Sequence, residues 1–330
     1  MKKTPNPADD MMSPRTAPAQ FQYQGKTLRE ILQIKDSKKR QAMLHGYQDA
    51  YDAYLAEKAI DSDAAAGFPE TPMTPKSGNL ILLQPWADEK RPASNPLLRS
   101  ALFGAIRPGK RRLIDWEKIP SLEGINLQGS GPRLDQNDLD VYMGLLHLHK
   151  RHPLGNEVRF KMSELLGILS LPTRGGGGPR GTRTVLHNRM DRLQRYAIRI
   201  QWGPDQKYRY QGSLIDSIAK SKEREDCFVL RLNPELKSLF EKNQYTLLDW
   251  NVRRHLPNMP LAQWLHAFYS SHQMPYPMNV EKIRDLSGSE NGALFDFRRE
   301  VREALSVLAK VSNWQCRIDK SDKVIIIKYI

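Results

Sequence analysis

The run 181–212 changes its hydrophobic period from helical to alternating within a few residues. Apolar side chains first recur at helical spacing, at Val185, Leu186, Met190, Leu193 and Tyr196. Apolar and polar residues then alternate over 198–202, a Gly-Pro-Asp turn follows at 203–205, and a second alternating run covers 208–211. The pattern predicts an amphipathic helix followed at once by a β-hairpin.

A similar order of elements recurs nearer the C-terminus. A helix over 294–311 has its apolar side at Phe297, Val301, Leu305 and Leu308, and two strands are predicted after it, over 314–318 and 324–329. A longer and a shorter helix are predicted before each of these two helices, the second set beginning near Asn258, which is placed to cap its first helix. The repeated pattern predicts an α+β fold with two tandem winged-helix (helix-turn-helix) domains.

The expected domain boundaries follow from changes in composition along the 330 residues. Residues 1–78 are expected to form a disordered, Pro-rich start, a helix over 27–60 and a Pro/Gly-rich linker, so the domains follow a flexible N-terminal segment. The first winged-helix domain is predicted over 79–243 and the second over 244–330. A connector around 245–256 separates them in this interpretation.

The net charge of +14 favours a polyanionic partner. Only Cys227 and Cys316 are present and they lack metal-binding or redox spacing, which is typical of a reducing compartment. The sequence shows neither an apolar run of membrane-spanning length nor a signal peptide. We therefore expect a cytoplasmic protein with no membrane partner.

The first basic helix supplies the main candidates for DNA contact. Arg183, His187 and Asn188 lie in its N-terminal half, where a recognition helix reads base edges. Arg180, Arg189 and Arg192 are expected to hold phosphates, which position a protein without specifying sequence. The alternative interpretation is a solvated helix with an arginine-rich face.

Further candidate contacts come from the neighbouring hairpin and from the second helix. They are cationic side chains at the end of the first helix, on its wing and along the second helix: Arg195, Lys207, Arg209, Arg298, Arg299 and Arg302. Asp296, Glu300 and Glu303 dilute the charge of the second helix, which is nearly as typical of a solvated helix with ion pairs. The second helix is therefore the weaker candidate for base contacts.

The sequence indicates no enzyme, cofactor or metal site. It contains no GxxxxGK[ST] phosphate loop, no Ser/His/Asp signature and no prominent carboxylate set, so no catalytic residue is assigned. His147-Leu148-His149 matches the His-hydrophobe-His pattern of rolling-circle nickases. A helix is predicted at this pair, and residues two apart on a helix point about 200° away from each other. A nickase is therefore the disfavoured alternative.

Several segments together resemble the TrfA family of plasmid replication initiators. They are QPWADEKRPASNPLLRSALF at 84–103, LDQNDLDVY at 134–142, PLG at 153–155, LNPE at 232–235 and LHAFYSSH at 265–272. The resemblance implies an iteron-binding Rep protein with tandem winged helices that binds duplex origin DNA and helps to open an AT-rich region. It also implies recruitment of the host initiator and replicative helicase, and exchange between homodimers and DNA-binding monomers. The implied location is the bacterial cytoplasm, in association with the nucleoid or a plasmid.

Besides the disfavoured nickase, two alternatives to an initiator remain open at this point. One is a transcriptional repressor acting at its own promoter, and the other is an RNA-binding or scaffold protein.

Residues 236–240, LKSLF, resemble sliding-clamp-binding pentapeptides but lack the leading glutamine. The sliding clamp is therefore a candidate partner. The competing interpretation is that these apolar residues close the core of the first domain.

Overall fold

The computed structural model describes residues 86–152, 156–172, 181–203, 206–220, 227–241 and 244–329, with a few separate positions between 22 and 43. The elements named below all lie in one compact part of the chain, Glu70–Ile330. The start, helix and linker predicted over 1–78 lie outside the described residues, apart from those separate positions.

Helices and strands are mixed along the described chain, which makes the fold α+β. Up to residue 241 they are β1 (Lys90–Ser94), α1 (Asn95–Leu98), β2 (Phe103–Gly104), β3 (Leu113–Lys118), β4 (Asn126–Pro132), β5 (Leu134–Asp135), α2 (Gln136–Leu148), β6 (Glu157–Lys161), α3 (Met162–Ile168), α4 (Thr182–Arg195), β7 (Ala197–Trp202), β8 (Tyr208–Ser213), β9 (Ser217–Lys220) and β10 (Cys227–Arg231). A 3-10 helix, Pro234–Leu239, follows β10.

The remainder of the chain has the same kinds of element in a shorter succession. They are β11 (Tyr245–Asp249), α5 (Trp250–Arg253), α6 (Pro260–Ser270), β12 (Met278–Asn279), α7 (Val280–Ser287), α8 (Leu294–Val311), β13 (Trp314–Ile318) and β14 (Lys323–Lys328). The predicted long basic helices and the hairpins after them are confirmed in both places.

The two hairpins sit in different sheets. The first, β7–β8, is the end of a four-stranded antiparallel sheet in the order β3-β4-β7-β8. The second, β13–β14, forms a three-stranded sheet with the short strand β12, in the order β12-β14-β13. The short strand before α3, β6, pairs with β10 and not with the first hairpin. The first hairpin is therefore embedded in a wider sheet than the second.

Helix α2 forms the centre of the larger hydrophobic core. Its start is fixed by a capping box, because the Asp135 carboxylate accepts from the Asp138 amide at 2.9 Å and the Asp138 carboxylate accepts from the Asp135 amide at 3.0 Å. Asp135 is thus the N-cap of α2, as the preference for Asp at this position predicts from the sequence. Val141, Tyr142 and Leu145 are fully buried along the helix, so it presents apolar side chains on several sides.

Buried apolar side chains form two clusters. One extends from Trp86 to Trp250 and includes Ala267 of α6. The other extends from Leu256 to Ile326 and includes Ala105 and Leu122 from the earlier part of the chain. We call the parts of the chain around these clusters the first unit, 86–253, and the second unit, 254–329.

A buried arginine connects the two units. The side chain of Arg253 is fully buried, and its Nε donates to Asp140 of α2 at 2.7 Å. Its other nitrogens donate to the Gln263 carbonyl of α6 at 2.6 Å and to the Gln136 side chain at 2.9 Å. A buried guanidinium with this many partners is satisfied only while α2 and α6 keep their relative position.

Tyr196 joins α4 to the first sheet. It is buried, and a Cβ placed at Gly129 of β4 would overlap its hydroxyl group. Gly131, at φ +130°, allows a similar approach of the Tyr196 ring. The two glycines of β4 thus make room for the residue that directly follows the basic helix.

Two local predictions are wrong, and one strand was not predicted. The expected connector at 245–256 contains β11, which pairs along its whole length with the distant β1, and helix α5. Helix α6 is preceded by Met259 as its capping residue, and Asn258 lies before it at φ 58°. Strand β9 was not predicted, because Ser217–Lys220 has no alternating pattern and is held by its partner β10.

Candidate nucleic-acid interface

Helix α4 buries one face and presents the other to solvent. Leu186, Met190 and Leu193 are buried and pack toward α2, as their spacing predicts. Arg183, Asn188 and Arg195 are exposed, and Arg189 is half-buried. Arg180 lies outside the described residues. The exposed set therefore includes two of the three expected base readers.

Arg192 has an internal partner. Its Nη2 donates to Asp138 Oδ1 at 2.8 Å and its Nε donates to Oδ2 at 3.3 Å, while the Asp138 side chain is fully buried. Burial and the neighbouring charge of Asp135 raise the pKa of Asp138 to about 6, and the ion pair with Arg192 opposes that shift. The pair ties the basic helix to the start of α2.

His187 faces the protein and not the solvent. Its ring lies 5.1 Å from the ring of Phe228 on β10, measured between centroids, and the residue is half-buried. The helical spacing used in the sequence analysis does not show this contact, because β10 lies about 40 residues further along the chain.

The first hairpin continues the basic surface. Lys207 and Arg209 are exposed, as expected for a wing, and the Lys207 Nζ lies 5.8 Å from the centre of the Tyr208 ring. On the same hairpin, Arg199 is exposed and its guanidinium lies 3.6 Å from the centre of the Trp116 ring of β3.

Polar side chains beside these arginines form a surface that the sequence analysis missed. Gln128 of β4 is paired with Arg199, and Gln201 is paired with Arg209. Amide and guanidinium groups thus line a shallow groove across three strands. The alternation of Arg199 and Gln201 was visible in the sequence, but the pairing of β7 with β4 was not, because β4 lies about 70 residues earlier in the chain.

Helix α8 occupies the corresponding place in the second unit. Phe297, Val301, Ala304, Leu305 and Leu308 are buried, which confirms its predicted inner face. Arg298 reaches Asp322 in the turn between β13 and β14, with Nε to Oδ1 at 2.9 Å and Nη2 to Oδ2 at 2.8 Å. Arg298 therefore connects the helix to its hairpin.

The solvent face of α8 contains cations and one aromatic side chain. Phe295, Arg299, Arg302 and Ser306 follow one another at helical spacing and all are exposed. Arg299 also lies 3.3 Å from Asp296, a contact between exposed side chains. Phe295 was not among the predicted contacts, although its position outside the inner face can be read from helical spacing alone.

The two histidines of the nickase pattern are held apart from each other. His147, in the last turn of α2, accepts at Nδ1 from the Trp86 indole at 3.0 Å. His149 is fully buried beyond the helix end, with Nδ1 3.3 Å from the Leu145 carbonyl and Nε2 3.4 Å from the Asn156 carbonyl. Burial lowers the pKa of both, that of His147 to about 4, where Arg91 and Lys150 add to the effect.

The residues that the structure describes form neither a metal-binding cluster nor a membrane-spanning helix. In that part of the chain, no group of three or more His, Cys, Asp or Glu side chains is placed to hold a metal ion. None of the helices described combines the length and the apolar character that crossing a bilayer requires.

Comparison with known proteins gives matches over most of the chain. A family model described as TrfA protein matches residues 50–315. Plasmid replication initiator protein TrfA of Escherichia coli is 27% identical over 266 residues, which cover 77% of this chain and 66% of that protein. The chain thus matches just under two thirds of the length of that relative.

Among solved structures, two crystal structures of RctB domains 2 and 3 are similar to this chain. One matches with a TM-score of 0.43 at 14% identity, covering 70% of this chain and 94% of that one. The other matches with a TM-score of 0.41 at 12% identity, covering 68% and 93%.

Proposed function

The chain belongs to the TrfA protein family, and from that premise we propose that it is a plasmid replication initiator that binds the iteron repeats of its origin as duplex DNA. The observation that carries the proposal is the repeated succession of helix, short strand, helix, basic helix and hairpin in the two units. In each unit the basic helix is anchored by an internal arginine pair and leaves other cations exposed.

We propose that each unit is a winged-helix domain, with the boundary near residue 253. The second unit supports this in its strand order, β12-β14-β13, in which the short strand before the helices lies beside the second strand of the hairpin. In the first unit the hairpin serves as the wing, although its sheet has been extended by β3 and β4. Two such domains can occupy successive major-groove segments of one site.

The proposed DNA contacts are divided by the exposure of each side chain and by its position on the helix or hairpin. Arg183 and Asn188 are the proposed base readers of the first unit, because they are exposed in the N-terminal half of α4. The remaining exposed or half-exposed cations are proposed to hold phosphates: Arg189, Arg195, Lys207, Arg209, Arg299 and Arg302. Arg180 is proposed as a further phosphate contact from its sequence position.

The internally bonded residues receive a different role. Arg192 and Arg298 each have a carboxylate partner at hydrogen-bond distance, so we propose that they set the orientation of α4 and α8 instead of contacting phosphate. His187, packed on Phe228, is proposed to support the same orientation. These three assignments revise the sequence-based expectation.

The proposed initiator acts by binding and not by catalysis. Its bound form promotes opening of the origin and recruits the host initiator and replicative helicase, and it exchanges between dimer and DNA-binding monomer. A sliding-clamp contact through residues 236–240 has less support, because Leu236, Leu239 and Phe240 are buried in the first core. The positions of His147 and His149 favour a structural role over strand cleavage.

The direct test is a footprint of the full chain on its plasmid's origin repeats at several salt concentrations. We expect protection at each repeat and none on a scrambled duplex of the same composition, with affinity falling as salt rises because counterions are released. Protection that does not distinguish the two duplexes at any salt concentration would contradict the proposal. Nicking of supercoiled origin DNA in the presence of Mg²⁺ or Mn²⁺ would instead favour the nickase.

A further inference from the structure

We propose that Phe295 contacts the C5-methyl group of a thymine in the major groove, so that the second unit reads sequence through an aromatic side chain. This inference rests on the proposed function, since it requires a specific duplex site. It assigns to α8 a reading residue that its charge pattern does not reveal.

Phe295 lies on the solvent side of α8, outside the core. The side chain is 74% exposed in the first turn of α8, while Phe297, two residues later, is fully buried. The core on the opposite side of the helix is complete without Phe295, so its ring contributes little to folding. Binding that covers the ring would remove apolar surface from water, which is favourable.

Two arginines lie on the same exposed face of α8 as Phe295. Arg299 and Arg302 lie one and two turns further along the same exposed stripe. The acidic side chains of Asp296, Glu300 and Glu303 form a neighbouring stripe, rotated by about 100°. A duplex approaching the Phe295 stripe therefore meets these two cations along its phosphates; of the acidic residues, Asp296 lies 3.3 Å from Arg299 and offsets part of its charge.

The bases differ in what their major-groove edges offer to a phenyl ring. A recognition helix brings its N-terminal residues closest to the bases, and Phe295 is in that position. A phenyl ring offers no hydrogen bond, so the donors and acceptors of adenine, guanine and cytosine give it nothing to pair with. Thymine presents a methyl group in the major groove, and apolar side chains contact it there.

The test replaces thymines singly with uracil, which removes the methyl group and keeps the hydrogen-bonding groups. The full chain is first used to select its site from a random duplex pool, and each thymine in that site is then changed. For the wild-type chain we expect about fourfold weaker binding at one thymine, corresponding to the loss of one buried methyl-sized group.

Three variants sharpen the test. Phe295→Ala is expected to bind the all-thymine site less tightly and to show no further loss at that one position, while its response at every other thymine is unchanged. Phe295→Leu keeps an apolar contact and is expected to retain part of the discrimination. Leu113→Ala, at a 73% exposed site on β3, is the matched control and is expected to behave like the wild type.

The outcomes separate this inference from the proposed function. If the wild-type chain selects a site and Phe295→Ala keeps every thymine-to-uracil response, the inference is wrong and the proposed function stands. If the wild-type chain selects no sequence from the pool, the inference and the proposed function are both wrong. Circular dichroism of the Phe295 variants checks that α8 is intact.

Discussion

Helices α4 and α8 have the same pattern of buried positions but different solvent faces. Leu186, Met190 and Leu193 of α4 correspond by spacing to Phe297, Val301 and Ala304 of α8. On the opposite side, α4 presents Thr184, Asn188, Asp191 and Arg195 at the positions where α8 presents Phe295, Arg299, Arg302 and Ser306. The helix with more arginines overall thus has fewer of them along its central exposed stripe.

The difference shows that the charge of a helix is a poor guide to the face it presents. In the first unit, cations flank the stripe and continue onto the hairpin through Arg199 and Arg209. In the second unit, two arginines lie on the stripe itself, and acidic residues occupy the neighbouring one. We therefore propose that the first unit combines helix and wing, whereas the second depends mainly on the helix.

The internal arginine pairs differ in a similar way. Arg192 binds a fully buried carboxylate that also caps α2. Arg298 binds Asp322 in a hairpin turn, where both side chains are about one third exposed. A pair that leaves a buried charge unmatched when broken is expected to matter more for stability than an exposed one.

The largest expected effect comes from breaking the buried pair. Asp138→Ala removes the partner of Arg192 and one half of the capping box, so we expect it to lower the free energy of unfolding by about 3–5 kcal/mol. Asp322→Ala, the matched change in the second unit, is expected to cost less than about 1 kcal/mol. Urea unfolding of both variants measures the difference, and equal costs would show that the two pairs are equivalent.

A second prediction concerns the wider sheet of the first unit. Gly129→Ala places a methyl group where the Tyr196 hydroxyl lies, and this overpacking is expected to cost about 1–3 kcal/mol. Gly292→Ala is the control, since nothing lies near a Cβ at that position before α8. A Gly129→Ala variant as stable as the wild type would mean that Tyr196 does not fix α4 against β4.

A third prediction separates base reading from phosphate holding. Arg183→Ala is expected to weaken binding to the cognate site by about 1–3 kcal/mol and to change binding to unrelated duplex much less. Arg302→Ala is expected to weaken binding to all duplexes similarly and to reduce the slope of log affinity against log salt by about 1. Titrations of both variants on both duplexes test this. If the two variants lose affinity in the same way, the assignment of Arg183 to base reading and of Arg302 to phosphate binding is wrong.

The smallest expected effect is a dependence of stability on pH. His266, in the core of the second unit beside Trp314, is fully buried, and burial together with the charge of Arg253 lowers its pKa to about 3. The unfolded chain takes up a proton at this residue below pH 6.5 and the folded chain does so only near pH 3. Stability is therefore retained above pH 6.5 and decreases as the pH falls toward 3.

The variant His266→Gln is expected to reduce the slope of unfolding free energy against pH, whatever its effect on stability at neutral pH. In the first unit, His147 gives the same direction over the narrower window from pH 6.5 to about 4. Urea unfolding between pH 4 and pH 7 measures both. An unchanged slope in His266→Gln would show that other groups account for the acid sensitivity.

Local patterns predicted those elements whose core contacts repeat along the chain. The inner faces of α4 and α8, the cap at Asp135 and both hairpins follow from residues within about 20 positions of one another. Strand β11 did not follow, because its strand partner β1 lies more than 150 residues earlier. Strand β9 pairs with β10, which follows it closely in the chain, but β9 shows no alternation of its own, so its pattern did not indicate a strand.

The residues of the candidate interface were likewise predictable from the sequence only in part. The sequence by itself determined which residue types are available, how the helices repeat and, through its motifs, the family. The tertiary structure alone decided that Arg192, His187 and Arg298 are engaged by Asp138, Phe228 and Asp322. A cation paired with a carboxylate of another element is held in place by the protein, and such partners come from distant elements that helical spacing does not reveal.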